Sequence, residues 1–192
     1  LASASDDNTV KLWNPATDEC IRTLKGHEES VRSVVYSADG QRLSSGSFDR
    51  TVRLWNSATG DCIQTFEGHK SSVWSVAYSL DGKQIASGSS DETVRIWDLV
   101  TGDCIRILEG HKNSTWSVVY SPDGQQIASG SSDTTVRLWS TTTGECIRTI
   151  KGYENSLRVL VYAPRGNQLA SGSYNITMKL WNPATGDCIQ TP

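Results

Sequence analysis

The sequence repeats itself every 42 residues, and this period restricts the folds that the chain can adopt. Residues 61–102 and 103–144 are identical at 29 of 42 aligned positions. A tryptophan occurs in every copy at this spacing, without a gap: Trp13, Trp55, Trp97, Trp139 and Trp181. One copy is too short to bury a hydrophobic core of its own, so we expect the copies to stack on one another.

Each copy contains short apolar stretches that are separated by turn signals. In the third copy these stretches are Val73–Ser79, Gln84–Ser89, Thr93–Trp97 and Asp103–Leu108. They end at Asp-Gly, Ser-Asp or Thr-Gly pairs, a pattern that is typical of β-hairpins and differs from helical spacing. The sequence therefore predicts four antiparallel strands in each full copy and no helix.

Charge and hydropathy exclude two classes of partner. The formal net charge is −3, which excludes a nucleic-acid binder that works by bulk positive charge. No uninterrupted apolar run approaches the roughly 18 residues that a membrane-spanning helix needs, so we expect no membrane partner.

Two further motifs keep the same register as the tryptophans. Gly-His pairs occur at 26–27, 68–69 and 110–111, and Asp-Gly turns occur at 39–40, 81–82 and 123–124. With these motifs and the Trp97-Asp98 pair, the whole chain resembles the WD-repeat β-propeller family. In the other copies the tryptophan is followed by Asn or Ser. The highly similar copies also look like the arrays attached to NACHT-type NTPase signalling proteins.

The resemblance implies an all-β propeller built of four-stranded antiparallel blades. We expect a single domain over residues 1–192 with nineteen strands, or about 4.75 blades, as a piece of a longer and typically seven-bladed array. The expected blades span approximately residues 1–24 (incomplete), 25–66, 67–108, 109–150 and 151–192. Because unpaired sheet edges recruit other chains, self-association through incomplete terminal blades is a further prediction, beside an open or strained ring.

The resemblance also implies a buried polar network in each complete blade. A His from the Gly-His pair bridges an Asp in a turn and a Ser in the second strand, and that Ser bonds the Trp indole. The residues concerned are His27, Ser45, Asp49 and Trp55; His69, Ser87, Asp91 and Trp97; and His111, Ser129, Asp133 and Trp139. The last copy has Tyr153 and Asn175 in place of His and Asp, so we expect a partial network and the weakest blade there.

The same residue types occur in catalytic triads. A nucleophilic site needs one set beside one substrate pocket, whereas here the set recurs in successive copies. We therefore predict a structural role for these residues and no catalytic site.

One cysteine occurs in each copy, and no two lie close enough in sequence to form a Cys-x-x-Cys motif. We predict solitary reduced thiols that pack as small apolar side chains, with no metal and no cofactor. A reducing, cytoplasmic compartment is the matching expectation.

Positions that depart from the repeat consensus are candidates for recognition, because a scaffold residue recurs in every copy and a recognition residue varies. One such set lies near the start of the first strand: Arg32, Trp74, Trp116 and Arg158. A second set immediately precedes the turn acid: Asp6, Phe48, Ser90, Ser132 and Tyr174. In an up-and-down blade both sets lie on the face formed by the Gly-His connections and the second-to-third-strand turns.

Aromatic and Arg side chains on this face are the residue types that anchor protein interfaces. The two arginines would suit acidic groups or backbone carbonyl groups of a peptide. The alternative interpretation is that the indoles of Trp74 and Trp116 only pack between first strands.

These observations favour a non-enzymatic protein- or peptide-binding scaffold or sensor. One alternative is a structural or engineered repeat array without a selected ligand. Another is a hydrolase that uses the central channel as its pocket, which would need a single acidic or His cluster pointing into the channel. We find no such cluster in the sequence.

Overall fold

The computed structural model describes residues 1–175 and 177–191 and contains nineteen β-strands. They form one sheet of three strands and four sheets of four strands, each made of strands that are consecutive in the sequence. This confirms the predicted all-β architecture of antiparallel blades. No helix in the described part of the chain is long and apolar enough to cross a membrane.

The strands follow the same order in every blade. Blade 1 has three: β1 (Ala2–Ala4), β2 (Val10–Trp13) and β3 (Cys20–Leu24). Blade 2 has four: β4 (Val31–Tyr36), β5 (Arg42–Ser47), β6 (Val52–Asn56) and β7 (Cys62–Phe66). Blade 3 has β8 (Val73–Tyr78), β9 (Gln84–Ser89), β10 (Val94–Asp98) and β11 (Cys104–Leu108). Blade 4 has β12 (Thr115–Tyr120), β13 (Gln126–Ser131), β14 (Val136–Ser140) and β15 (Cys146–Ile150). Blade 5 has β16 (Leu157–Tyr162), β17 (Leu169–Ser173), β18 (Met178–Trp181) and β19 (Cys188–Gln190).

The Asp-Gly turns connect the first strand of a blade to the second. In blade 3, Gly82 has a φ of +66°, in the left-handed region that favours glycine. The Asp81 carboxylate closes the turn by accepting hydrogen bonds from Ser79 Oγ at 2.7 Å and from the Lys83 N–H at 3.1 Å. The four strands predicted for this blade begin and end within one residue of the observed strands.

Successive blades pack face to face, and the hydrophobic core lies between them. Between blades 2 and 3, Val52, Leu54 and Phe66 pack with Val73 and Trp97. Each fully buried side chain of this size contributes about 1.5–3 kcal/mol to folding. The stacking of blades therefore supplies the core that one blade lacks.

Second strands are small-residue strands because the next blade lies directly against them. A Cβ atom added to Gly88 in β9 would lie 2.9 Å from Thr115 Cγ2 and 3.0 Å from Val118 Cγ1 of blade 4. Glycine at this position thus permits the close approach of the two blades.

Hydrogen bonds between first strands join blades 2 to 5 near the centre. A serine hydroxyl in one first strand accepts the backbone N–H of a residue in the next. The pairs are Ser33 with Val76, Ser75 with Val118 and Ser117 with Leu160, at 3.2, 3.1 and 3.0 Å.

Arginines on the outermost strands join the blades at their periphery. The guanidinium of Arg148 in β15 donates to the backbone carbonyls of Thr185 and Ala184 in blade 5, at 2.6 and 2.9 Å. Arg22 and Arg106 bind the following blade in the same way. Gln64 takes the corresponding position at the junction of blades 2 and 3.

Candidate partner-binding face

Blades 2, 3 and 4 each contain a buried polar network of their own. In blade 3, His69 Nδ1 lies 2.8 Å from Asp91 Oδ2, and His69 Nε2 lies 2.7 Å from Ser87 Oγ. The Trp97 indole N–H donates to the same Ser87 Oγ at 2.8 Å. The equivalent residues of blades 2 and 4 have the same contacts.

Two hydrogen bonds of this network have a defined direction. A carboxylate only accepts, so His69 Nδ1–H donates to Asp91, and the Trp97 indole N–H donates to Ser87. Together with the contact between His69 Nε2 and Ser87 Oγ, they give each of these buried side chains a polar partner, as a buried network requires.

The turn carboxylates in these networks stay ionised. Burial alone would raise the pKa of Asp91, but hydrogen bonds from His69, from Thr93 and from the Lys70 N–H outweigh burial and hold the pKa well below its usual value. The pKa values of Asp49 and Asp133 are lowered for the same reasons.

Ser87 is fully buried, and its hydroxyl is engaged by both His69 and Trp97. Since a nucleophilic serine must reach its substrate, this arrangement lacks the access that a catalytic triad needs, in spite of the shared residue types.

In the last blade, Tyr153 replaces the histidine and keeps its contact with the second-strand serine. The Tyr153 hydroxyl is hydrogen-bonded to Ser171 Oγ, which also accepts the Trp181 indole N–H at 2.6 Å. Asn175 Oδ1 accepts hydrogen bonds within its own turn, from Ser173 and Thr177. Trp181 and Ser171 thus keep their hydrogen bond, while the hydrogen bonds of Asn175 stay within its own turn.

A row of arginine and aromatic side chains runs across the face where the second-to-third-strand turns meet the connections into the first strands. We call it the Arg–aromatic ladder; it consists of Arg32, Phe48, Trp74, Trp116, Arg158 and Tyr174. Backbone hydrogen bonds bring the two segments together, because the Phe48 N–H donates to Ser30 and the Tyr174 N–H donates to Ser156, both at 2.9 Å. The equivalent bonds join Ser90 to Ser72 and Ser132 to Ser114.

Contacts in the ladder are continuous from blade 2 to blade 5. The Trp74 and Trp116 ring centroids are 3.9 Å apart, and the Phe48 ring meets Trp74 edge-on at 4.6 Å. Arg32 Cζ lies 4.4 Å from the Phe48 centroid. At the other end, Arg158 Cζ lies 3.5 Å from the Trp116 centroid and 5.3 Å from that of Tyr174. Such cation–π contacts favour a fixed position of the guanidinium groups.

Both ladder indoles are anchored by serine. The Trp74 N–H donates to Ser90 Oγ at 2.6 Å, and the Trp116 N–H donates to Ser132 Oγ. Trp74 and Trp116 remain partly exposed, and Tyr174 is 70% exposed. The two indoles therefore pack on one another and also contribute to an accessible surface.

The structure adds an ion pair that sequence reasoning missed. Arg32 Nη2 lies 2.8 Å from Asp6 Oδ1 of the neighbouring blade. Both residues depart from the repeat, and their opposite charges on adjacent blades were the available signal.

Four of the five cysteines do not pack as predicted. They are exposed, because the outermost strand of each blade is a sheet edge that faces solvent. Cys104 is partly buried and packs against the hydrophobic core between blades 2 and 3. The prediction of small apolar packing was therefore wrong for the four exposed thiols. All five thiols are free, and no group of three or more His, Cys, Asp or Glu within residues 1–175 and 177–191 is placed to hold a metal ion.

Comparison with known proteins agrees with this architecture. The family model for the WD domain, G-beta repeat, matches residues 1–14, 18–56, 60–98, 102–140 and 144–182. The chain belongs to the WD40 family. Its blades are WD40 repeats, and the buried networks and the ladder are features of this WD40 array.

Individual relatives are similar to this chain over about one repeat. The nuclear distribution protein PAC1 of Coccidioides posadasii is 47% identical over 45 residues, which are 23% of this chain and 10% of that protein. The PAC1 protein of Arthroderma benhamiae is 51% identical over the same length and shares. The F-box-like/WD repeat-containing protein TBL1X of Mus musculus is 54% identical over 41 residues, 21% of this chain and 8% of that protein. The matched segments thus span about a tenth of these relatives.

Proposed function

We propose that this WD40 array is a non-enzymatic scaffold or sensor module that binds a protein or peptide through the face carrying the Arg–aromatic ladder. WD40 repeat proteins generally act as protein-interaction scaffolds. The observation that carries the proposal is the ladder itself, a continuous row of partly exposed aromatic and arginine side chains at positions where the repeats differ. Such side chains are enriched among the residues that dominate interface energies.

The ladder is also pre-organised. Their mutual ring contact and the serine hydrogen bonds hold the indoles of Trp74 and Trp116 before any partner arrives. A rigid binding surface loses less conformational entropy on association, which favours affinity. A partner that covers this face would bury apolar ring area without reordering it.

The hydrolase alternative receives less support. A cavity of about 430 Å³ lies against first-strand residues that include Val35, Tyr36, Val76, Tyr78 and Val119. The described residues that line it are apolar, Tyr and Ser side chains, without the acid or His cluster that a hydrolase pocket needs.

A reducing, cytoplasmic location and a role in signalling belong to the same proposal. Five free cysteines, most of them exposed, support a reducing compartment, because exposed thiols oxidise or pair in an oxidising one.

The test is selection of binding peptides from a random-sequence display library, followed by fluorescence anisotropy with a selected peptide. Trp74→Ala and Trp116→Ala together are expected to weaken binding at least tenfold. Tyr36→Ala is the matched control, because Tyr36 is an exposed aromatic at the far end of a first strand. Equal affinity of the double variant and the wild type would refute the proposed face.

A further inference from the structure

The two arginines of the ladder differ in their charge partners. Arg32 forms an ion pair with Asp6, whose side chain is 72% exposed. Across residues 1–175 and 177–191, Arg158 has no carboxylate within ion-pair distance and no hydrogen-bond acceptor. The charge at the Arg32 end is therefore compensated within the protein, and the charge at the Arg158 end is not.

Stacking prepares Arg158 for an anionic group. Its guanidinium lies over the Trp116 ring at 3.5 Å, so one face of the group is covered by the indole. A planar guanidinium donates through N–H groups at its edges, which stay available in this arrangement. The fork is thus positioned to bind both oxygens of a carboxylate.

The surroundings of Arg158 add an apolar contact. Tyr174 flanks the guanidinium at 5.3 Å and exposes most of its ring. The indole N–H of Trp116 already donates to Ser132, so this tryptophan offers ring surface to a ligand. The blade 5 end of the ladder therefore combines the guanidinium of Arg158 with aromatic ring surface.

Building on the proposed function, we infer that the partner is an acidic peptide, with an Asp or Glu carboxylate on Arg158 and a neighbouring apolar side chain against Tyr174 and Trp116. Charge complementarity is the reason for choosing an acidic peptide. It also determines at which end of the ladder the acidic residue binds. The exposed carboxylate of Asp6 disfavours an acidic group at the Arg32 end, so the acidic residue belongs at the blade 5 end.

The probe is an array of 15-residue peptides in which every acidic peptide has a twin with Asn and Gln in place of Asp and Glu. The wild-type protein is expected to bind acidic peptides about tenfold more tightly than their amide twins. Arg158→Gln should abolish this preference, and Arg158→Lys should restore part of it because it keeps the charge but not the fork. Arg32→Gln should retain the preference.

The outcomes separate this inference from the proposed function. Peptide binding that depends on Trp74 and Trp116 but is equal for acidic peptides and twins would overturn the acidic-partner inference alone. An acid preference that survives in Arg158→Gln would overturn it too. Peptide binding that is unaffected by the two tryptophan substitutions would overturn the proposed face as well. Arg158 is exposed, so we expect Arg158→Gln to unfold at the same temperature as the wild type. Thermal denaturation of the variant is the control that shows it is folded.

Discussion

Two tryptophans of blade 3 each donate the indole N–H to a serine hydroxyl, but they differ in exposure to solvent. Trp97 donates its indole N–H to Ser87 at 2.8 Å and is 1% exposed. Trp74 donates to Ser90 at 2.6 Å and stays partly exposed beside Trp116. The position of Trp97 holds tryptophan in all five copies, whereas the position of Trp74 holds tryptophan in blades 3 and 4 and arginine in blades 2 and 5. Of these two tryptophans, the one that every copy keeps lies in the core between blades, and the one whose position varies lies on the partly exposed face.

The largest expected effect separates the two tryptophans directly. Trp97→Ala removes a ring packed between blades 2 and 3 and should lower the free energy of unfolding by about 3–5 kcal/mol. Trp74→Ala removes a partly exposed ring and should cost about 1 kcal/mol. Urea denaturation of both variants measures the two losses, and equal losses would show that Trp74 and Trp97 contribute equally to the stability of the fold.

The next effect concerns the polar network under the recurring tryptophan. Asp91→Ala leaves His69 and the backbone N–H groups of Lys70 and Thr93 without their acceptor. We expect a loss of about 2–3 kcal/mol in the free energy of unfolding. Asp103→Ala, at an exposed carboxylate, is the control and should stay within about 0.5 kcal/mol of wild type. A loss for Asp91→Ala no larger than that of the control would show that the network does not stabilise the blade.

The same network predicts a pH dependence. The pKa values of Asp49, Asp91 and Asp133 are below the ordinary value of 3.8, so the unfolded chain binds protons more readily at these groups. Their contribution to stability is complete above about pH 5 and is lost as the pH falls through 4 and below. Urea midpoints between pH 7 and pH 3 should fall, and less steeply for Asp91→Ala. If the urea midpoint fell equally between pH 7 and pH 3 in Asp91→Ala and in the wild type, Asp91 would not be a source of this pH dependence.

At the outer edges of the blades, position 64 is glutamine, whereas the equivalent positions 22, 106 and 148 hold arginine. Arg148→Gln removes two hydrogen bonds to blade 5 and imitates the glutamine that occurs naturally at position 64. It should cost about 1 kcal/mol, and Gln64→Arg should gain a similar amount at the junction of blades 2 and 3. Thermal denaturation of both variants tests this; an opposite sign for either one would show that the outer arginines do not hold the blades together.

The last predicted change in stability concerns a buried residue next to the ladder. Thr115 precedes Trp116 in β12, but its hydroxyl is buried without a hydrogen-bond partner. Valine occurs at the equivalent positions 31 and 73, so Thr115→Val should stabilise the protein by about 1 kcal/mol. Thr135→Val, which removes a hydroxyl bonded to Asp133, should instead destabilise it. A destabilising Thr115→Val would mean that the buried hydroxyl is satisfied in solution.

The repeat made much of this structure predictable. Strand positions follow from the turn signals, and the His, Ser, Asp and Trp contacts of blades 2 to 4 follow from the resemblance because the four residues keep their spacing in each copy. The ladder positions were also identifiable, because Trp74 and Trp116 fall outside the tryptophan register.

Other features depend on contacts between blades that the sequence does not specify. The ring contact between Trp74 and Trp116 depends on the relative placement of two first strands and on the rotamers of both indoles. Ser90 and Ser132 were identified as variable face residues, but their role as acceptors for the indoles emerged only from the structure. The exposure of the cysteines was missed because a thiol on an outer strand was treated as part of the core.

Hydrogen exchange of the indole N–H protons, followed by NMR of protein labelled with ¹⁵N-tryptophan, measures how the core and ladder tryptophans differ in protection. All seven tryptophans give separate indole signals in principle, so core and surface are compared in one sample. We expect slow exchange for Trp55, Trp97 and Trp139, near the limit of global unfolding, and faster exchange for Trp74 and Trp116. Protection of Trp74 and Trp116 equal to that of Trp97 would contradict this expectation, because the ladder would then be part of the core.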